Sequence, residues 1–428
     1  MEKRENFVGR ASVIMAFAGS AIGLGNIWRF PYMVGEYGGA AFILIYILCS
    51  FVLSLPIFLS ESIIGRRSRS NAIGAMKKLA PSSGWQILGY VSVLAPIVII
   101  SYYSVVGGWS VEYFLKSFSL DFGEFIPTGW KVLVYYLIFH TLSCAIVACG
   151  VKDGIERFSK FSIPVLFVLI VFILVYSVNM PGATAGVDYL LKPDFSSITP
   201  RTFAYALGQS FYSLSIGAGV ILTYSSYVSK DENLLVSGAG TAVADLMFAV
   251  LAGFAIMPAV FASGIEPSAG PGLIFQTLPH VFSQIGASSP VLSVVISALF
   301  FLTVIIAALT STVSLVEVGV AYLIEEWKFR RGTACLCVFA VTFALGLFSI
   351  FSVKAFGAFD ACSSNFFLTL GALLVVLFVG WKMKKEDVRD EITNGGKSNR
   401  KMFPALYFLI RYVAPLAVLT IFIFNFIS

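Results

Sequence analysis

Long apolar runs, each bounded by charged residues, recur along almost the whole chain. A helix needs about 20 apolar residues to cross the hydrocarbon core of a bilayer, and most of the runs reach that length. The pattern predicts an all-α polytopic membrane protein with about eleven transmembrane helices in one domain, 1–428. The predicted spans are 11–33, 39–65, 85–115, 131–150, 158–179, 201–227, 235–262, 288–324, 333–351, 356–381 and 403–427.

One apolar stretch, 266–287, is short and rich in Pro and Gly, so it does not read as a span. We expect an outer loop with short helices there, which could cap a vestibule.

Lys and Arg concentrate in alternate connections between the predicted spans. With a cytoplasmic N-terminus, the inside segments hold 22 of the 29 basic residues and the outside segments hold five. Cytoplasmic loops of membrane proteins carry such an excess, which predicts the N-terminus inside and the C-terminus outside. The net charge of +6 follows from this topology and gives no reason to expect a nucleic-acid partner.

The composition argues against an enzyme. Charged residues make up 12% of the chain, against about a quarter in soluble domains. The two histidines, His140 and His280, lie in different segments, which disfavours a histidine metal site, and no nucleophile clusters with a base.

Two glycine-rich stretches interrupt apolar spans. AGSAIGLGN (18–26) lies in the first span, and GQSFYSLSIGAG (208–219), which also carries three serines, lies in the sixth. Paired broken helices, five spans apart, are typical of inverted-repeat transporters, where freed backbone groups bind ions and substrate. The alternative is that the glycines only permit close helix packing.

Eight motifs extend the pattern over the chain. They are GSAIGLGNIWRFPY (19–32), YGGAAF (37–42), PIFLSESIIGR (56–66), ISYYSVVGGW (100–109), KDGIERFSK (152–160), GQSFYSLSIGAG (208–219), TYSSYVSKD (223–231) and AALTSTVSL (307–315). Together they resemble the neurotransmitter:sodium symporter family, especially its short bacterial members that carry leucine and other hydrophobic amino acids. The resemblance implies the LeuT fold, with inverted repeats at about 10–180 and 200–381 and an extra helix at about 403–427.

The resemblance also implies sodium-coupled symport of a hydrophobic L-amino acid across the cytoplasmic membrane of a prokaryote by alternating access. It implies that the protein requires sodium ions and binds them at two sites. The first comprises Ala21, Asn26, Ser213 and Asp245, and the second comprises Gly19, Ile22, Ala307, Thr310 and Ser311. Asn is common in related proteins in place of Asp245, and Glu or a chloride-binding Ser stands in place of Ala249, so we expect chloride-independent transport.

The substrate site that the resemblance implies lies between the two breaks. Backbone N–H groups of Leu24 and Gly25 and the Tyr103 hydroxyl would bind a carboxylate, and monoamine carriers have Asp in place of Gly23. Ala21, Tyr212, Ser213 and Ser215 would bind the amine. The side-chain pocket is Ile99, Tyr103, Tyr212, Ser215, Ala218, Ser311 and Leu315.

The resemblance further implies gates on both sides. Arg29 and Asp360 would form the outer gate above Tyr103 and Tyr212, and Arg4 with Glu325, Ser226 and Tyr227 the inner gate. Glu61 would brace the broken helices, and Gly154 and Pro164 would let the fifth helix unwind.

Two rival functions stay open at this point. One is a transporter of the same fold with another cargo or ion, and the other is a membrane receptor or scaffold that binds ligand without moving it.

Overall fold

The computed structural model describes residues 6–7, 9–264 and 273–427, and all regular structure within these residues is helical. Nine continuous helices among them are long and apolar enough to cross a membrane, judged by length and composition. Among these residues the bent pair Gly9–Ala21 and Gly25–Glu36 brings the total to ten, and the predicted sixth span, 201–227, is present as two shorter helices separated by residues 214–219. In chain order the helices are α1a (Gly9–Ala21) and α1b (Gly25–Glu36), α2 (Ala40–Ser68), α3 (Gln86–Lys116), α4 (Trp130–Ala148), α5 (Val151–Val178), α6a (Pro200–Ser213) and α6b (Val220–Ser225), α7 (Leu234–Ala262), α8 (Pro290–Trp327), α9 (Arg331–Phe351), α10 (Val353–Lys382) and α11 (Phe403–Phe424).

The first helix breaks where the sequence predicts. Its halves, α1a and α1b, are bent by 54° about residues 22–24. A Cβ atom added to Gly23 would lie 2.2 Å from Ser311 Oγ and 2.8 Å from the Tyr103 hydroxyl. Glycine is therefore required at this position because α3 and α8 approach the backbone closely.

The sixth helix breaks over residues 214–219, between α6a and α6b. Three residues in the break have positive φ, namely Ser215 at 54°, Gly217 at 82° and Gly219 at 69°. A left-handed backbone costs glycine little and other residues more, so this segment cannot continue the helix. Discontinuity of helices one and six is thus confirmed.

Helix boundaries differ from the prediction at several ends. The fifth helix begins at Val151 rather than near residue 158, because its charged first turns, Val151–Glu156, form a wide helical turn that continues into α5. The described part of the predicted outer loop contains one short helix, Thr277–Ser288, whose large apolar side chains are buried. Residues 265–272 of that loop lie outside the described part of the chain.

A short helix, Lys385–Thr393, connects α10 to α11 and packs on the end of α2. Arg66 of α2 donates from Nε to Glu391 Oε2 at 2.6 Å and from Nη2 to the Glu391 carbonyl at 2.8 Å. Its Nη1 donates to the carbonyl of Glu232, in the α6b–α7 connection, at 2.5 Å. We call Arg66, Glu232 and Glu391 the α2 clamp, because it ties three distant segments together.

Candidate functional site

The two helix breaks meet at a cavity in the centre of the helix bundle. Its lining includes all seven residues of the predicted side-chain pocket together with Ala21, Gly23 and Gly25. Two further lining residues, Ser20 of α1a and Leu368 of α10, were missed by the sequence analysis. The cavity wall is mostly apolar, and its polar side chains come from α1a, α3, α6a, the α6 break and α8.

Backbone and hydroxyl groups converge on the cavity. The N–H of Leu24 donates to the Tyr103 hydroxyl at 3.0 Å, and the Ser215 hydroxyl donates to the Ser20 carbonyl at 2.8 Å. Because α1b starts at Gly25, the positive end of its helix dipole faces the cavity. A carboxylate is the group that such a helix end and hydroxyl accommodate.

A first oxygen cluster lies beside the cavity where α1b, α2, α6a and α7 meet. Asn26 Nδ2 donates to Asp245 Oδ1 at 2.7 Å and to Ser213 Oγ at 3.1 Å. The Ser213 hydroxyl lies 2.8 Å and 3.0 Å from the two Asp245 carboxylate oxygens. Tyr46, which the sequence analysis missed, donates its hydroxyl to Asp245 Oδ2 at 3.1 Å. All four side chains are buried.

A second oxygen cluster lies between α1a and α8. The Thr310 hydroxyl is 3.2 Å from the Ile22 carbonyl and 2.9 Å from the Ala307 carbonyl. The Ser311 hydroxyl is 3.5 Å from the same Ile22 carbonyl. A Cβ added to Gly19 would lie 2.9 Å from Ser159 Oγ and 3.8 Å from Thr310 Cβ, so Gly19 lies between α5 and α8. The oxygen atoms of both clusters are hard ligands, which suit alkali cations. In this structure Asn26 turns its amide nitrogen to the first cluster, and its Oδ1 accepts the Gly23 N–H at 3.0 Å.

The side of the cavity next to α1b and α10 carries the predicted outer gate. The Arg29 guanidinium lies over the Tyr212 ring at 4.7 Å. Asp360 accepts a hydrogen bond from Ser364 at 3.3 Å, and within the described residues it forms no ion pair with Arg29 at 4.0 Å or less. In this structure the Arg29 side chain therefore packs on Tyr212, and the Asp360 carboxylate contacts Ser364.

The opposite side of the cavity carries the predicted inner gate. Arg4 lies outside the described residues. Glu325 accepts hydrogen bonds from the Asn71 N–H at 2.7 Å and from Ser70 at 3.1 Å. The Ser226 hydroxyl donates to the carbonyl of Thr223.

A buried carboxylate that the sequence analysis missed, Glu317, lies two turns before Glu325 on α8. It accepts from the Tyr227 hydroxyl at 2.7 Å and pairs with Arg331 at 2.5 Å. A Glu in the middle of an apolar span was the available signal, since charges there are rare without a role.

Glu61 and the start of α5 complete the predicted set. Glu61 Oε1 of α2 accepts the Gly217 N–H at 2.6 Å, so it does contact the break between α6a and α6b. Gly154 lies in the wide first turn of α5, where a Cβ would be 2.1 Å from the Ile146 carbonyl, and Pro164 lies inside the helix.

Comparison with known proteins gives a consistent result. The model of the sodium:neurotransmitter symporter family matches residues 4–125 and 121–428. An uncharacterized sodium-dependent transporter of Bacillus subtilis is 36% identical over 99% of this chain and 98% of its own. The sodium- and chloride-dependent GABA transporter 2 of Rattus norvegicus is 24% identical, over 100% of this chain and 80% of its own. The crystal structure of MhsT in complex with L-phenylalanine superposes with a TM-score of 0.87 at 36% identity and covers 98% of this chain and 99% of MhsT.

Proposed function

Because the chain belongs to the sodium:neurotransmitter symporter family, it is a multi-pass, sodium-dependent membrane transporter and not an enzyme, and we propose that its cargo is a hydrophobic L-amino acid. The observation that carries the proposal is one apolar cavity between two helix breaks, flanked by two oxygen clusters. Substrate and ions would share the backbone of the broken helices, so binding of each would favour binding of the other.

The proposed substrate keeps its own α-carboxylate. Leu24, Gly25 and Tyr103 would supply the donors for it. Gly23 has no side chain, so the protein provides no carboxylate there. The amine would face the carbonyls near Ala21 and the Ser215 hydroxyl. The side chain would enter the apolar part of the cavity, beside Ile99, Ala218 and Leu315. L-phenylalanine in MhsT is consistent with this chemistry.

The two oxygen clusters are the proposed sodium sites. In the first, the substrate carboxylate would join Ala21, Asn26, Ser213 and Asp245, which couples ion and substrate directly. In the second, sodium would join α1a to α8 through Gly19, Ile22, Ala307, Thr310 and Ser311. Two sodium ions bound at these positions would move down the sodium gradient and thereby drive uptake of the amino acid.

Transport is proposed to be independent of chloride. The Asp245 carboxylate is buried among three hydrogen-bond donors, Asn26, Ser213 and Tyr46, which stabilise a charge at this position. Ala249, one turn further along α7, offers no donor to an anion. A fixed negative charge beside the first sodium would replace the anion.

Alternating access would move helices one, two, six and seven against the others, within a single domain of two inverted repeats and the extra α11. The N-terminus would lie in the cytoplasm and the C-terminus outside. Arg29 and Tyr212, with Asp360, would close the outer side, while Glu325 and Tyr227 would close the inner side. Unwinding near Gly154 and Pro164 would admit water to the second sodium site.

Uptake into proteoliposomes tests the proposal. A pooled set of radiolabelled amino acids is offered under an inward sodium gradient, under potassium, and with gluconate replacing chloride. Sodium-driven accumulation of a hydrophobic amino acid in gluconate is the expected result. Sodium-dependent binding without accumulation would instead show a ligand sensor, and accumulation that requires chloride would refute the role given to Asp245.

A further inference from the structure

Leu368 on α10 lies between two cavities. Its side chain is 4% exposed and lines the central cavity. It also lines a second cavity, next to Arg29, Asn365 and Ile421, between α1b, α6a, α10 and α11. Leu368 and Tyr212 are the two residues that both linings share, so together they form the wall between the cavities.

The backbone around Leu368 is held against the α6 break. A Cβ atom on Gly217 would lie 2.0 Å from the Leu368 carbonyl oxygen, and one on Gly371 would lie 2.3 Å from the Gly217 carbonyl oxygen. A wide helical turn, Cys362–Phe367, immediately precedes Leu368 and sets the direction in which α10 presents it. The Leu368 side chain is thereby placed by two backbones in contact and has little freedom to withdraw.

Among the other apolar lining residues, the one next to the contact between Leu368 and the α6 break is small. Ala218, which contributes only a methyl group, lies in the α6 break that Leu368 contacts, while Ile99 and Leu315 come from α3 and α8. A bulky side chain in the central cavity would thus extend past Ala218 and meet Leu368 before it reached the second cavity.

We propose that Leu368 sets the upper size limit of the substrate side chain. This inference rests on the proposed function, because it assumes that the central cavity holds the amino acid. Truncation of Leu368 would join the two cavities and admit a larger ring, whereas smaller substrates would lose an apolar contact. In an apolar pocket each methylene changes relative affinity by roughly tenfold or more.

The test measures sodium-dependent binding of L-valine and L-tryptophan to the purified full-length protein in detergent, from ligand-induced shifts of thermal unfolding. Leu368→Ala should raise the affinity ratio of tryptophan to valine by about tenfold or more. Leu374→Ala is the matched control, since Leu374 is on the same helix and outside both cavity linings, and should leave the ratio unchanged. If Leu368→Ala does not fold, Leu368→Val takes its place and should also raise the affinity ratio of tryptophan to valine.

Ala218→Phe separates failure of this inference from failure of the proposed function, because it fills the same space from the α6 break and should lower the ratio. If Ala218→Phe changes the ratio and Leu368→Ala does not, the cavity holds the substrate and the role of Leu368 is wrong. If neither variant changes it, or if neither amino acid binds the parent protein in sodium, the central cavity is not the amino-acid site and both proposals are overturned.

Discussion

Asp245 joins four helices through its carboxylate, which accepts hydrogen bonds from Asn26 of α1b, Ser213 of α6a and Tyr46 of α2. Hydrogen bonds to charged groups contribute roughly 1.5–3 kcal/mol each, and an unpaired buried charge is costly. The donors therefore hold one charge at the point where the first sodium is proposed to bind.

Asp245→Asn should raise the KM for sodium by about tenfold or more in chloride-free buffer, because the amide supplies no negative charge beside the cation; about 1.4 kcal/mol suffices for this change. Chloride should not restore the affinity, because Ala249 offers no donor to an anion. Uptake at varied sodium, with chloride or gluconate, measures both effects. Tyr46→Phe keeps the charge and removes one donor, so its effect should be smaller. An unchanged sodium KM in Asp245→Asn would contradict the proposed first site.

Gly23→Ala should weaken substrate binding by about ten- to a hundredfold, because a methyl group 2.2 Å from Ser311 Oγ forces α1 away from α8 and overpacking costs about 1–3 kcal/mol. Titration of the purified protein with its transported amino acid measures the loss. Gly253→Ala in α7 is the control, since its Cβ would meet its nearest atom at 3.6 Å. The same overpacking should also lower the free energy of unfolding of Gly23→Ala. Adding Ser311→Ala removes the closest atom and should recover part of that free energy, even though Ser311 itself belongs to the second cluster.

At the scale of whole elements, the structure is held at one end by the α2 clamp. The Arg66 and Glu391 side chains are 2% and 3% exposed, so the pair is fully desolvated. It joins the end of α2 to the helix Lys385–Thr393 and to the α6b–α7 connection, which brings segments separated by more than 300 residues into one unit.

Glu391→Ala should lower the free energy of unfolding by about 3–5 kcal/mol, because it leaves the Arg66 charge buried without its partner. Equilibrium denaturation of the purified protein measures the change. Asp387→Ala removes the neighbouring ion pair between Asp387 and Arg67, in which the Arg67 side chain is 27% exposed and that of Asp387 is 35% exposed. This variant should lower the free energy of unfolding by about 1 kcal/mol or less. The double variant Arg66→Met with Glu391→Met removes both charges and should be more stable than Glu391→Ala; equal loss in both would show that packing, not charge, matters.

At the scale of the whole molecule, the alternate basic connections predict an odd number of crossings when each broken helix is counted as one span, so the two termini should face opposite sides of the membrane. The exposed Asp121 and Lys397 lie in connections that the charge pattern assigns to opposite sides.

Single cysteines at these positions test the topology, in a background with the exposed Cys149 and Cys362 replaced by serine. In intact cells a membrane-impermeant maleimide should label Asp121→Cys, and it should label Lys397→Cys only after permeabilisation. The reverse pattern would invert the proposed orientation. Labelling of both positions in intact cells would show that the chain does not cross the membrane an odd number of times between residues 121 and 397.

The sequence by itself determined the membrane class, the approximate spans and the two helix breaks, because these depend on local properties: apolar length, the charges that bound each run, and glycines that leave a helix. The motifs also identified the residue types of the central cavity and both oxygen clusters, which the structure brings together.

Only the tertiary structure decided which distant side chains complete those groups. Tyr46 and Leu368 sit on helices whose local pattern gives no sign of their contacts, and the α2 clamp joins segments remote in sequence. Glu317 is visible as a charge within an apolar span, but its local pattern does not identify Arg331 and Tyr227 as its partners. The tertiary structure likewise placed Arg29 over Tyr212 and not against Asp360. Such contacts depend on how helices cross and rotate against one another, and that is set by packing over the whole bundle, which no single run of residues encodes.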